Sequence, residues 1–165
     1  MSATSSVIEQ LVRQSILAEV AAMTLYTRLA NRVTEDEPRR LLRMLAAAEE
    51  GHIGRLTDLV TSLGEEGAGA LGKVGFVAGL RQEAGKQLDE QLRDLGLSES
   101  STVSELVRFA VRMETKAGGH YERLAVEAVD VRIRDFFAVL VEEEAGHAKQ
   151  LENLREMLEA SAPPS

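Results

Sequence analysis

Apolar positions along this chain recur in alternating steps of four and three, the spacing of one helix face, through four separate stretches. The first runs Ile8, Val12, Ser15, Glu19, Ala22, Tyr26, Leu29 and Val33; the second runs Leu42, Leu45, Glu49, His52, Leu56, Leu59 and Leu63. The third is Val103, Val107, Ala110, Glu114, Ala117, Tyr121, Leu124 and Ala128, and the fourth is Ile133, Phe137, Leu140, Glu144, His147, Leu151, Leu154 and Leu158. These stripes predict four amphipathic helices at about 6–32, 36–63, 101–128 and 131–160.

Ser6 with Glu9 and Thr102 with Glu105 have capping-box spacing, and Thr34 to Pro38 and Asp130 sit where the chain must turn and restart. Both turns are short, so each pair of helices forms an antiparallel hairpin. Between the hairpins, Gly64 to Gly75 holds five glycines in twelve residues. Val77, Leu80, Ala84, Leu88, Leu92 and Leu95 then predict a further helix from about Phe76 to Leu95. The expected organisation is one domain over 1–165: a hairpin at 6–63, a crossover with an extra helix at 64–100, and a second hairpin at 101–160.

The two hairpins are also alike in sequence. A shift of 95 positions brings Leu11, Val12 and Arg13 onto Leu106, Val107 and Arg108, and Glu19, Ala22 and Tyr26 onto Glu114, Ala117 and Tyr121. The register continues without a gap through Arg39 and Arg134, Glu49 and Glu144, and Gly51-His52 and Gly146-His147. The crossover has no counterpart in this repeat.

Composition narrows the chemistry. Hydrophobic residues make up 44% of the 165 but aromatics only 4%, with no Trp and three Pro, so Leu, Ala and Val must build a helical core. The lack of Cys excludes disulfides, thiolate zinc sites, iron–sulfur ligation and a cysteine nucleophile. A net charge of -8 without a dense basic cluster argues against nucleic-acid and membrane partners. Met1 to Gln10 has neither the basic start nor the apolar core of a signal peptide, and no stretch approaches a membrane span, so a cytoplasmic protein is expected.

Six ionisable residues interrupt the apolar stripes at mid-length: Glu19, Glu49, His52, Glu114, Glu144 and His147. A buried, unpaired carboxylate costs several kcal/mol or takes up a proton, so four at one level demand compensation. Glu19 and Glu49 are thirty residues apart, as are Glu114 and Glu144. With a turn midway, each arm climbs roughly 20 Å and the two side chains come level. In each hairpin's second helix the Glu precedes its His by three, which puts both on one face. Four carboxylates and two neutral imidazoles balance two divalent cations. Oxygen-rich ligation with one imidazole per ion suits iron or manganese better than copper, and a tetrahedral structural zinc would more often recruit thiolates, which leaves zinc in purified material as an alternative occupant.

At these residues the chain resembles the di-iron carboxylate proteins of the ferritin-like superfamily, especially rubrerythrins and, in ligand count, bacterioferritin. The resemblance covers about 6–63 and 101–160. It implies an all-α, ferritin-like four-helix bundle of two homologous hairpins joined by the long crossover. It makes Glu49 and Glu144 bridging carboxylates, Glu19 and Glu114 terminal carboxylates, and His52 and His147 terminal imidazoles. Tyr26 and Tyr121 match rubrerythrin tyrosines that hydrogen-bond ligand carboxylates, while as residues they could equally be core fillers whose hydroxyls find any acceptor. Two departures stand out. Rubrerythrins usually carry a further carboxylate one turn from the third-helix ligand, where this chain has Val111 and Ala117, and they commonly end in a rubredoxin domain, which a chain without Cys cannot form.

The resemblance implies an oxidoreductase that reacts with H2O2 or O2, a peroxidase or a ferroxidase taking Fe(II), with a separate electron donor and a homo-oligomeric, dimeric assembly. Iron storage and dimanganese catalase are the alternatives. His120, whose repeat partner is Leu25, is left to a surface or packing role. Gly51, Gly118, Gly119 and Gly146 disfavour helix and serve either to open room for a small molecule or to let helices approach closely.

Overall fold

The computed structural model describes residues 3–63, 73–98 and 100–160. Its helices are α1 (Ala3–Arg32), α2 (Asp36–Leu63), α3 (Lys73–Asp94), α4 (Val103–Glu127) and α5 (Val131–Ala160), with no strand among the described residues. The side chains of Ile8, Leu63 and Val77 and the glycine-rich stretch 64–72 lie outside the described residues.

Local chemistry explains most of the boundaries. The Thr102 hydroxyl accepts the Glu105 N–H at 3.2 Å while the Glu105 carboxylate accepts the Thr102 N–H at 2.7 Å, a complete capping box at the start of α4. Asp130 accepts the Arg132 N–H at 2.8 Å at the start of α5. Asp36 and Glu37 complement the positive end of α2, and Pro38 sits in its first turn, where a missing N–H costs nothing. The Ser6–Glu9 cap is not realised: α1 is already helical from Ala3, so Ser6 lies within the helix. A capping spacing is a local preference, and the helix simply extends past it.

The repeat extends to the turns. Arg39 donates to the Val33 carbonyl at 3.0 Å and Arg134, 95 residues on, donates to the Ala128 carbonyl at 3.1 Å. Each arginine satisfies a carbonyl left open where the preceding helix stops.

α1 packs on α2 and α4 on α5, while narrower contacts of α1 with α4 and of α2 with α5 join the hairpins. The crossover helix α3 lies outside, along α1, burying Leu80, Ala84, Leu88 and Leu92. Arg13 meets Glu83 at 3.1 Å and Arg28 meets Asp89 at 2.6 Å, so α3 runs in the same direction as α1. Its 22 residues span roughly 33 Å and carry the chain back along the bundle before α4 begins. α3 starts at Lys73, earlier than the expected Phe76, because Gly75 is taken into the helix. It stops in a Schellman motif, with Leu97 N–H on the Leu92 carbonyl at 2.8 Å, Gly96 N–H on the Arg93 carbonyl at 2.9 Å, and Gly96 at φ 69°. Leu95, expected on the apolar stripe, falls in this turn and is 54% exposed. Two antiparallel hairpins and one long crossover make the all-α, ferritin-like arrangement that the sequence predicts.

Candidate metal centre

All six residues that interrupt the stripes are buried at the middle of the bundle: Glu19, Glu49, His52, Glu114, Glu144 and His147 are each at most 9% exposed. They form two overlapping clusters. One is Glu19, Glu49, His52 and Glu144, the other Glu49, Glu114, Glu144 and His147, and in each the donor atoms lie within 4.8 Å of one another.

The imidazoles define the two halves of the site. His52 Nδ1 lies 3.4 Å from Glu19 Oε2, 3.0 Å from Glu49 Oε2 and 2.9 Å from Glu144 Oε1. His147 Nδ1 lies 2.9 Å from Glu49 Oε1, 3.8 Å from Glu114 Oε2 and 3.6 Å from Glu144 Oε2. Glu49 and Glu144 therefore each turn one oxygen towards either histidine. Glu19 faces His52, and Glu114 faces His147. The two rings stack with centroids 5.4 Å apart.

The tyrosines cross between the halves. Tyr26 of α1 donates its hydroxyl to Glu114 Oε1 of α4, and Tyr121 of α4 donates to Glu19 Oε1 of α1. Each takes the carboxylate oxygen that points away from the imidazoles and leaves Oε2 turned inward. The reversed order of these contacts makes α1 and α4 antiparallel, and the shift of 95 relates one pair to the other.

Electrostatics make the cluster costly without cations. Burial raises Glu19 well above the usual carboxylate range, and burial with the neighbouring Glu144 raises Glu114 to about 8. Burial also acts on Glu49 and Glu144, but contacts with His147 and His52 outweigh it and hold both below the usual range. The imidazoles respond in the opposite sense: burial pulls them down, but the surrounding carboxylates push His52 up to about 11 and His147 to about 12. Even so, both oxygens of Glu49, both of Glu144 and His147 Nδ1 have no hydrogen-bond partner among the described residues. The short distances from the imidazoles to Glu49 and Glu144 do not resolve this, since they lack hydrogen-bond direction and one N–H cannot serve three converging carboxylates. Orphaned buried oxygens around two imidazoles are a donor set that fits two hard or borderline divalent cations.

Other residues were not foreseen. Glu143 Oε2 lies 3.1 Å from His52 Nε2, on the ring edge away from the cluster, and Arg55 binds Glu143 through both terminal nitrogens. The available signal was a break in the repeat, since Glu143 falls opposite Ala48. His120 places Nε2 3.1 Å from the hydroxyl of buried Ser15 and stays outside the cluster, in keeping with a packing role; burial and the nearby Arg123 lower its pKa. With Tyr121 it lines a groove of about 720 Å³ between α1, α3 and α4, so the cluster lies one side chain from the surface.

The glycines are not explained by close packing. A Cβ at Gly118 would meet Glu144 Cβ at 3.6 Å, an ordinary contact, and at Gly51, Gly119 or Gly146 it would meet nothing within 4 Å. Gly51→Ala is expected to raise stability by about 1 kcal/mol. That is about 2–4 °C in Tm for a domain of this size, and a lower Tm by calorimetry would count against it.

No helix among the described residues is long and apolar enough to cross a membrane. Comparison with curated proteins and with solved structures gives no match. A family model described as Rubrerythrin matches residues 10–155, a span that contains all six buried acids and histidines of the cluster and the crossover between the hairpins. The carboxylate–histidine cluster and this match together point to a di-metal site, and the chain belongs to the rubrerythrin family.

Proposed function

We propose that this chain is a non-haem di-iron oxidoreductase that reacts with H2O2 or O2, with Fe(II) itself or a separate donor supplying electrons. The observation that carries the reading is the pair of overlapping buried clusters whose shared carboxylates have no hydrogen-bond partner. Glu49 and Glu144, each with one oxygen towards either histidine, would bridge two ions. Glu19 and Glu114 would be terminal carboxylates, and His52 and His147 terminal imidazoles, one to each ion. A pair of iron ions held in this way supplies one electron from each metal to a small oxidant.

The protein's own contribution is to orient and to balance charge. The tyrosine hydroxyls anchor the outer oxygens of Glu19 and Glu114, so the inner oxygens can shift without losing the side chain's position. Burial in an apolar bundle keeps bulk water from competing for the carboxylates. The groove beside Tyr121 would admit a molecule the size of H2O2. Val111 and Ala117 offer no further carboxylate on α4, so the four glutamates and two histidines would be the full set of side-chain ligands.

Stopped-flow mixing of the reduced, iron-loaded protein with H2O2 and with O2 tests the reading. Faster oxidation than in a Glu49→Ala, Glu144→Ala variant given the same iron is expected. Oxidation no faster than in the variant, with H2O2 and with O2 alike, would remove it.

A further inference from the structure

The repeat is broken at one point that touches the site. α5 carries Glu142-Glu143-Glu144 where the shift of 95 puts Ala47-Ala48-Glu49 on α2, and Arg55 of α2 corresponds to Gln150 of α5. The consequence falls on one histidine only. His52 turns Nδ1 to the carboxylate cluster and brings Nε2 within 3.1 Å of Glu143 Oε2, and Arg55 holds the Glu143 carboxylate through both of its oxygens. For His147 the repeat-related residue is Ala48, which has no polar side-chain atom to offer. The surroundings differ as well: the His52 side chain is 3% exposed and that of His147 is 11% exposed.

A carboxylate facing the outer nitrogen of a ligand imidazole fixes the tautomer with its proton on that side. It thereby frees the inner lone pair, holds the ring plane and makes the inner nitrogen a better donor. We infer that Glu143 is a positioning residue for His52 and makes the two metal subsites unequal. The subsite of Glu19, Glu49, His52 and Glu144 takes its divalent ion first and more tightly than that of Glu49, Glu114, Glu144 and His147. This rests on the metal-binding reading above. The Arg55–Glu143 pair is partly exposed, so it also links the tighter subsite to the protein surface.

Titration of the chelator-stripped full chain with Co(II), followed by calorimetry and visible absorption, tests the inference without activity as a readout. Two separated binding steps are expected. Glu143→Ala, which gives both hairpins the same residue at this position, should weaken the tighter step about 10–100-fold and bring the two together. It should leave the weaker step and the circular dichroism spectrum unchanged. Ala48→Glu should act in reverse and tighten the weaker step. In the proton NMR spectrum of the Co(II) protein, one of two shifted imidazole N–H signals should exchange slowly with solvent and lose that protection in Glu143→Ala. Equal affinities in the unmodified protein, or steps that stay apart in Glu143→Ala, would overturn the inference and leave the metal centre standing. No Co(II) binding at all would overturn both.

Discussion

Loading the chelator-stripped protein with two divalent cations at pH 7 is expected to release about four protons. Without cations, burial favours the protonated forms of Glu19 and Glu114, one raised well above the carboxylate range and the other to about 8. The carboxylates around His52 and His147 keep both imidazoles charged, at about 11 and about 12. Glu49 and Glu144, held low, carry the balancing negative charges. The cluster is then neutral through its protons, and with two cations and no protons it is neutral again. Each of the four bound protons must leave for its side chain to become a ligand.

The sign follows from those directions. Deprotonated groups bind the cations, so affinity rises with pH. Each fall of one pH unit below 7 should weaken joint binding of both ions by about tenfold for every proton released. Above about pH 8 Glu114 has already given up its proton, and the release should drop to about three. Calorimetric titrations in buffers of different ionisation enthalpy count the protons directly. A release near zero would mean that the cations bind elsewhere.

The second large effect concerns stability. Fe(II), kept anaerobic, or Mn(II) is expected to raise the melting temperature of the stripped protein, because the cation binds the folded cluster and not the separated ligands of the unfolded chain. At a hundredfold excess over Kd each ion contributes about 2.7 kcal/mol, or about 5–10 °C for a domain of this size. A Glu49→Ala, Glu144→Ala variant should lose the shift, since those two carboxylates belong to both clusters. Differential scanning calorimetry with and without metal is the measurement. The same shift in the variant would place the binding outside the centre.

The fold was legible to within a few residues because α-helix formation leaves a direct mark on the chain. The stripes through Glu19, Glu49, Glu114 and Glu144 mark which face of each helix is buried, and equal thirty-residue separations put the acids at one height. The misreadings lie where a local preference lost to a longer-range one. Ser6 has the chemistry of a cap, yet α1 continues through it, and Leu95 has the spacing of the α3 stripe, yet the chain leaves the helix at Gly96.

Contacts between helices were less legible. Nothing in the sequence said which carboxylates Tyr26 and Tyr121 would meet, and their hydroxyls cross to Glu114 and Glu19 because α1 lies antiparallel against α4. Glu143 sits beside Glu144 in the chain, but its contacts depend on α5 lying against α2, where His52 and Arg55 meet it.

The amino-acid order alone determined four amphipathic helices, their pairing into like hairpins, and six polar side chains at a shared depth, because helical period and rise convert spacing into face and height. Tertiary structure decided which neighbours those side chains met: carboxylates turned to both histidines, tyrosines serving the opposite hairpin, and Glu143 beside the outer nitrogen of His52. A helix's own sequence specifies the face it buries, but the identity of what lies against that face depends on how the hairpins dock.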